Sequence, residues 1–151
     1  TGRVALASSR DGLAWQRVDG PLGKRSVLEH GVEPEYDALH LGITDVTWAR
    51  GRWWMWCFGG NRERRPTIAG ALPGMGMRPG LATSRDGLRW TKMRGRGPGG
   101  ALIDIRNSGE VFASWVNGFH DGGRFAMMFT SVDNAVSYFR SWLTWSDDAL
   151  S

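Results

Sequence analysis

Histidine and cysteine are the side chains most often used for metal binding and nucleophilic catalysis, and this chain has three histidines and one cysteine. His30, His40 and His120 show no metal-ligand spacing with one another or with Cys57, and no Ser-His-Asp or Cys-His arrangement stands out. The stretch "GRGPGG" at 95–100 has the letters of a dinucleotide-binding loop, but "ALIDI" follows it instead of a helix start. We therefore expect no metal site and no cofactor, and we interpret Cys57 as a small core residue.

The net charge of +4 raises the question of a nucleic-acid partner. Apart from Lys24 and Lys92 the basic residues are all arginine, and they are scattered through every segment. A GC-rich coding sequence explains this pattern, and a basic groove for an acidic polymer is the alternative. No apolar stretch approaches eighteen residues, which argues against a membrane span. We expect neither a nucleic-acid nor a membrane partner. The compartment is left open, because a single cysteine requires no oxidising environment.

Nearly the same eight residues occur twice, as "SSRDGLAW" at 8–15 and as "TSRDGLRW" at 83–90. The apolar approach to the turn repeats as well, and "SWLTWSDDAL" near the end fits the same register, with Ser146 in the place of Ser9 and Ser84. A recurrence every 60 to 75 residues indicates a repeated supersecondary unit. The chain starts without Met or a signal-peptide core, so we interpret residues 1–151 as one partial domain of a larger repeat protein.

Short apolar runs bounded by Gly, Pro, Asn and Asp recur along the chain, and no window shows a convincing amphipathic helix. This pattern is typical of an all-β protein. Two hairpins are expected, one turning at Arg50-Gly51 and one through a longer loop that ends at Gly122-Gly123. The predicted strands are 3–8, 14–18, 44–49, 52–58, 79–83, 89–93, 111–116, 124–130 and 138–145.

The strand "RWWMWCF" at 52–58 is apolar on both faces. Trp53, Met55 and Cys57 point to one face. Trp54, Trp56 and Phe58 point to the other, so both faces must be covered. In an antiparallel repeat protein, small sheets stacked face to face meet this requirement, as in a β-propeller with four strands per blade. The chain would then hold about two blades and the start of a third.

The repeated turn has a structural explanation in this architecture. The aspartate of each "SRDG" can accept backbone N–H bonds from its own turn, and the glycine after it takes a conformation that a Cβ opposes. Trp15 and Trp90 are then expected to bury their rings between neighbouring blades, each contributing roughly 2–3 kcal/mol before entropy. We expect Asp11 and Asp86 to be structural; a calcium or catalytic role is the alternative.

The motifs "FGG…GLATSRDGLRWTK" and "GRWWMW" resemble those of the five-bladed propellers of the arabinanase, invertase and levansucrase superfamily, especially their glycosidase-like relatives. The sialidase Asp-box is a near neighbour, but it has one residue between its Asp and Gly, which are adjacent here. The resemblance implies hydrolysis or transfer of a glycosidic, often furanosidic, bond. It also implies three carboxylates at the starts of successive inner strands: a base or nucleophile, a positioning Asp and a Glu acid.

The resemblance places catalytic carboxylates at Asp45 in "GITDVTWAR" and Glu110 in "NSGEVFASW". An ungapped register through the turn would instead put Asn117 opposite Asp45 and leave that blade without its acid. Asp37 and His40 lie just upstream of Asp45 and are candidates for substrate binding. Each of these side chains has the simpler alternative of bonding to its own backbone.

Trp48 and Trp115 are candidate stacking platforms for sugar rings, with packing between blades as the alternative. The resulting hypothesis is a glycoside hydrolase-like propeller whose partners are a carbohydrate and its remaining blades. The alternative is a non-catalytic carbohydrate-binding or scaffold propeller that has lost its acids.

Overall fold

The computed structural model describes residues 2–65, 70–104, 110–133 and 138–150, and these residues form an all-β structure, as predicted. Two short 3-10 turns, Gly23–Arg25 and Pro98–Gly100, are the helical elements among the described residues. The strands are β1 (Arg3–Val4), β2 (Leu6–Ser8), β3 (Gln16–Val18), β4 (Leu28–Glu29), β5 (His40–Ala49), β6 (Arg52–Gly60), β7 (Arg64–Arg65), β8 (Leu72–Pro73), β9 (Arg78–Ser84), β10 (Thr91–Met93), β11 (Glu110–His120), β12 (Phe125–Asp133) and β13 (Phe139–Ser146).

Strands β5, β6, β9 and β10 form an antiparallel four-stranded sheet in chain order. Its first hairpin turns at Arg50 and Gly51, as predicted, and both residues have positive φ angles (50° and 72°). Turns of this kind match the twist of the two strands that they join. The next three long strands, β11, β12 and β13, form a second antiparallel sheet, and β2–β3, β1–β4 and β7–β8 are separate two-stranded pairs.

Strand β6 is covered on both faces from Trp54 to Cys57, as its sequence predicted, but Trp53 at its beginning is 37% exposed. Trp54 and Trp56 belong to a buried cluster with Phe125, Met127 and other side chains of the three-stranded sheet. The opposite face of β6 carries Met55 and Cys57 into a second cluster, which β1 and β4 help to form. Four-stranded and three-stranded sheets therefore share one core, and β1 and β4 close the other.

The two large sheets meet most closely where Gly118 of β11 faces Trp56. A Cβ built on Gly118 would lie 1.8 Å from Cε2 of the Trp56 ring, which is far inside van der Waals contact. Beside this contact, the Thr44 hydroxyl donates to the Val116 carbonyl, and the Gly118 N–H donates to Asp45 Oδ2 at 3.1 Å. At the far ends of the two strands, Arg50 Nε donates to His120 Nε2. The contacts therefore follow the same order along both strands, and β5 and β11 run in parallel side by side.

The repeated turns have the same hydrogen bonds, as predicted. In the first, Asp11 Oδ1 accepts from the backbone N–H groups of Leu13 and Ala14; in the second, Asp86 Oδ1 accepts from those of Leu88 and Arg89. The third copy, Ser146-Asp147-Asp148, repeats the serine-aspartate bond and the bond from Leu150 N. Ala149 takes the glycine position there, with φ 64° beside 76° and 74° for Gly12 and Gly87.

The prediction that Trp15 and Trp90 are both largely buried is wrong for Trp15, which is 63% exposed. Trp90 packs at the edge of the cluster that contains Met55 and Cys57. Trp15 directly precedes β3 of the isolated β2–β3 pair, and its indole N–H donates to the Gly12 carbonyl of its own turn. The same local sequence therefore buries its tryptophan only where a sheet lies beside it.

Replacing Gly118 by alanine is expected to destabilise the protein, because the new methyl group overlaps the buried Trp56 ring. Overpacking of this kind costs about 1–3 kcal/mol. Urea unfolding of Gly118→Ala should show this loss. Gly123→Ala is the matched control, since a Cβ there meets only the Asp121 carboxylate at 3.6 Å. Equal stability of the two variants would contradict the close contact between the sheets.

Acid is expected to weaken the repeated turns. Backbone N–H groups of Ala14 and Leu13 lower the pKa of Asp11 from 3.8 to about 2, and those of Arg89 and Leu88 lower the pKa of Asp86 further. A lowered pKa in the folded state means that the stabilisation is complete above the unfolded value near 4. It is lost as the pH falls from about 4 through the lowered pKa values of the folded state.

The free energy of unfolding, measured with urea between pH 5 and about 2, should therefore depend less on pH in the double variant Asp11→Asn/Asp86→Asn than in the unsubstituted protein. Asp19→Asn is the control, because Asp19 is an exposed carboxylate outside the turns. A pH dependence identical in all three proteins would show that the turns contribute nothing to it.

Candidate functional site

The candidate site lies at the edge where the inner strands of the two large sheets begin. Strands β5 and β11 are parallel neighbours, so their first residues, His40 and Glu110, lie at the same edge. The end of β6 and the beginning of β9 share it, because Gly60 pairs with His40 and Gly59 pairs with Arg78. We call this the start edge.

Asp37 precedes β5 by three residues and is fully buried. Its Oδ2 atom forms an ion pair with Lys92 Nζ at 2.6 Å, and the Glu35 carboxylate lies 3.8 Å from the same ammonium group. No hydrogen-bond donor among the described residues reaches Oδ1. The carboxylate fits because Gly59 lacks a side chain, since a Cβ there would lie 2.3 Å from Asp37 Cβ.

Tyr36 and Cys57 pack beside Asp37, with the tyrosine oxygen 3.3 Å from the sulfur. Burial raises the pKa of the Cys57 thiol to about 12, and burial and neighbouring negative charge raise that of Tyr36 above its usual value. Both groups are therefore protonated at neutral pH. Cys57 is a buried core thiol, as predicted, and its environment does not favour the reactive thiolate.

His40 holds the segment after β6 against the start edge. Its Nε2 atom lies 2.8 Å from the Gly74 carbonyl. A carbonyl oxygen only accepts, so Nε2 carries the proton and Nδ1 is the ring nitrogen that can accept a hydrogen bond. His40 is half-buried at the edge where Asp37 and Glu110 also lie.

Arg78 is a buried cation at the start edge that sequence reasoning missed. Its guanidinium pairs with Glu63 Oε2 at 2.8 Å and Asp104 Oδ1 at 2.9 Å, and it donates to the Gly76 carbonyl. The pattern of "GMRPGLATS" gave no signal for this, because an arginine before a strand is usually solvated.

Glu110 is a buried carboxylate at the beginning of β11. Its Oε1 atom accepts a hydrogen bond from the Ser131 hydroxyl at 2.9 Å, and the Trp142 indole N–H donates to the same hydroxyl oxygen. In the register of β11 and β12, the backbone of Glu110 lies opposite that of Asp133. A chain of hydrogen bonds from β13 through β12 thus fixes the carboxylate at the start edge.

Asp45 lies in the middle of β5, away from the start edge. A β-bulge at Thr44 turns its side chain toward β11, where Oδ2 accepts from Gly118 N, and Oδ1 accepts from Val46 N at 2.8 Å. Gly118 follows Glu110 by eight residues, which at about 3.3 Å per residue separates the two carboxylates by on the order of 20 Å.

A glycosidase needs its two carboxylates within about 5 to 10 Å of each other. The structure does not bring Asp45 and Glu110 together, and the role predicted for each stays a prediction. In the strand register, Asp45 lies opposite Trp56 in the first hairpin, and Asn117 lies opposite Met128 at the equivalent position of the second hairpin. The ungapped register is therefore the observed one, and Asn117, not Glu110, is the counterpart of Asp45.

Trp48 and Trp115 lie on sheet faces and not at the start edge. Trp48 is 56% exposed near the hairpin turn, with its ring 5.0 Å from that of Trp53. Trp115 is 49% exposed in the bulge of β11, where it has φ 47° and contacts the rings of Phe112 and Phe139. The structure does not bring either ring to the carboxylates, and sugar stacking stays a prediction.

No family model matches the chain, and searches of curated proteins and of solved structures find no similar protein. The described part of the chain contains no helix with the length and apolar character of a membrane span. Within the same residues, no three His, Cys, Asp or Glu side chains are grouped so that they could hold a metal ion.

Removing the positive charge beside Asp37 is expected to cost about 3 kcal/mol of unfolding free energy, because a buried carboxylate is left without its partner. Urea unfolding of Lys92→Met measures this loss. The double variant Asp37→Asn/Lys92→Met should recover most of it, since it also removes the buried charge. If the losses in Lys92→Met and in Asp37→Asn simply add in the double variant, the two side chains are not coupled.

Proposed function

We propose that the chain forms consecutive blades of a five-bladed β-propeller. The sheet of β5, β6, β9 and β10 is a complete blade, β2–β3 are the outer strands of the blade before it, and β11, β12 and β13 are the first three strands of the blade after it. Three observations support the proposal: the chain-order antiparallel sheet, the three equivalent serine-aspartate turns and the parallel contact of β5 with β11.

The remaining blades would cover two apolar sheet faces that are exposed among the described residues. The face of the three-stranded sheet away from the shared core carries Trp115, Phe119, Met128, Phe139, Leu143 and Trp145. At 40 to 65% exposure, these side chains present roughly 600 Å², about the largest patch found on typical monomers. On the opposite side, β5 and β6 expose Ile43, Val46, Trp48 and Trp53.

The function proposed for the complete propeller is hydrolysis of glycosidic bonds, in keeping with the family resemblance. The observation that carries it is a buried carboxylate at the beginning of each inner strand, Asp37 before β5 and Glu110 at the first position of β11. Buried acids at corresponding places are costly to a protein and mark sites of function more often than exposed ones. Glu110 takes the role of proton donor to the leaving oxygen.

Asp37 takes the positioning role in this proposal, because it is held by Lys92 and is fully buried. The base or nucleophile would then come from one of the remaining blades, since Asp45 is bonded to two backbone N–H groups in mid-strand. Residues 1–151 alone would therefore form only part of the catalytic site and would not turn over substrate.

The second candidate is a non-catalytic carbohydrate-binding or scaffold propeller. The observation that favours it is Asn117, which has no carboxylate at the position that corresponds to Asp45. The two candidates differ in turnover, and both allow a sugar to bind at the start edge.

The test uses residues 1–151 and the complete propeller with a panel of arabinosides, fructosides and other glycosides. We expect hydrolysis by the complete propeller only, and a loss of at least about 100-fold in kcat for Glu110→Gln, since general acid catalysis contributes about that much. Asp147→Asn is the matched control, because Asp147 is exposed in the turn after β13, where Ser146 pairs with Phe125 at the end of the three-stranded sheet opposite Glu110.

Binding without hydrolysis by the complete propeller would favour the second candidate. Hydrolysis that survives Glu110→Gln unchanged would contradict the role of Glu110, and absence of both binding and hydrolysis would contradict the carbohydrate function itself.

A further inference from the structure

Each of the first two serine-aspartate turns borders a hollow on the protein surface. The first hollow is lined by Ser8, Ser9, Arg10, Asp11, Ala14 and Gln16. The middle hollow is lined by the corresponding residues Thr83, Ser84, Arg85, Asp86, Arg89 and Thr91, together with Arg52. The middle hollow has a volume of about 360 Å³, which is within the range of small-molecule sites.

The two hollows differ in charge although their backbones correspond. The middle hollow has three guanidinium groups and one carboxylate, whereas the first has only Arg10 and Asp11. The third turn carries Asp147 at the position of Arg10 and Arg85, and the Arg50 guanidinium donates to the Asp147 carbonyl. The middle hollow thus has a surplus of positive charge that the first hollow lacks.

The single carboxylate of the middle hollow is already occupied. Asp86 Oδ1 accepts two backbone N–H groups, and Oδ2 pairs with Arg89 Nη1 at 3.1 Å. Its lowered pKa keeps it ionised, so it balances one of the three cations and leaves a net charge of +2.

Two of the three guanidinium groups have donors to spare. Arg85 makes no hydrogen bond or ion pair with the described residues, and Arg52 makes only a cation–π contact with the Trp54 ring at 6.0 Å. Thr83, Ser84 and Thr91 line the same hollow, and the Ser84 hydroxyl is bonded to Asp86. Guanidinium groups bind carboxylate, sulfate and phosphate through paired, charge-assisted hydrogen bonds.

We propose that the middle hollow is a binding site for a small oxyanion, a carboxylate, sulfate or phosphate group of a ligand, held between Arg52 and Arg85 with Arg89 at its rim. The site does not depend on the glycosidase proposal, because it lies at the turn after β9, opposite the start edge. Arg89 is 77% exposed, so binding is weak and falls as salt is added.

The experiment titrates the full chain with inorganic sulfate, inorganic phosphate and glucuronate at constant ionic strength, followed by calorimetry and by NMR of the arginine Nε–H groups. Glucose is the neutral control. We expect saturable binding of at least one anion and about a tenfold loss of affinity in Arg85→Gln and in Arg52→Gln, as expected for one charge-assisted contact. Arg10→Gln, the same position of the first turn, should leave the affinity unchanged.

Glucuronate binding more tightly than sulfate and phosphate would support an acidic saccharide as the ligand, and the reverse order would support a sulfate- or phosphate-bearing one. Equal losses in Arg10→Gln and Arg85→Gln would overturn the proposal, because binding would then reflect general positive charge. The proposal would also be overturned if none of the three anions binds saturably to the full chain while its thermal unfolding shows that the chain is folded.

Discussion

The contact between Trp56 and Gly118 is the constraint on which the rest of the structure depends. Strand β6 is apolar on both faces, and its Trp56 ring is almost completely buried against the backbone of β11. Protein interiors are packed to a density that leaves no room for an added methyl group at such a contact. The two sheets are therefore held at one separation and one alignment, which sets β5 beside β11 and brings their first residues to one edge.

Among the residues that the structure describes, charged groups are buried only where a partner or a hydrogen-bond donor meets them. Asp37 lies against Lys92, and Arg78 lies between Glu63 and Asp104. A buried charge without such compensation would cost several kcal/mol. These pairs also join segments that are distant in sequence, since Asp37 precedes β5 and Lys92 belongs to β10. The polar groups of the start edge thus help to hold the connections between strands against the four-stranded sheet.

The repeated turn shows how one local structure serves different surroundings. Its hydrogen bonds are the same around Asp11, Asp86 and Asp148, because they are made within a few residues of chain. What surrounds each copy differs: Trp15 is exposed and Trp90 packs against the core. Ala14 of the first turn replaces Arg89, and Asp147 of the third turn replaces Arg85. The three copies therefore share one turn structure, and each copy presents a different surface because the residues beside the turn differ.

The sequence by itself determined the features that arise from local interactions. Strand positions, the hairpin at Arg50-Gly51, the equivalent serine-aspartate turns and the double covering of β6 follow from alternation and turn chemistry within a few residues. The places of Asp45, Arg78, Asn117 and Trp15 were decided by the tertiary structure. Bulges at Thr44 and Trp115 shift the strand register by one residue, and the letters of the sequence do not mark them. Burial, in turn, depends on which sheet lies beside a side chain, and that contact is made by residues far away in the chain.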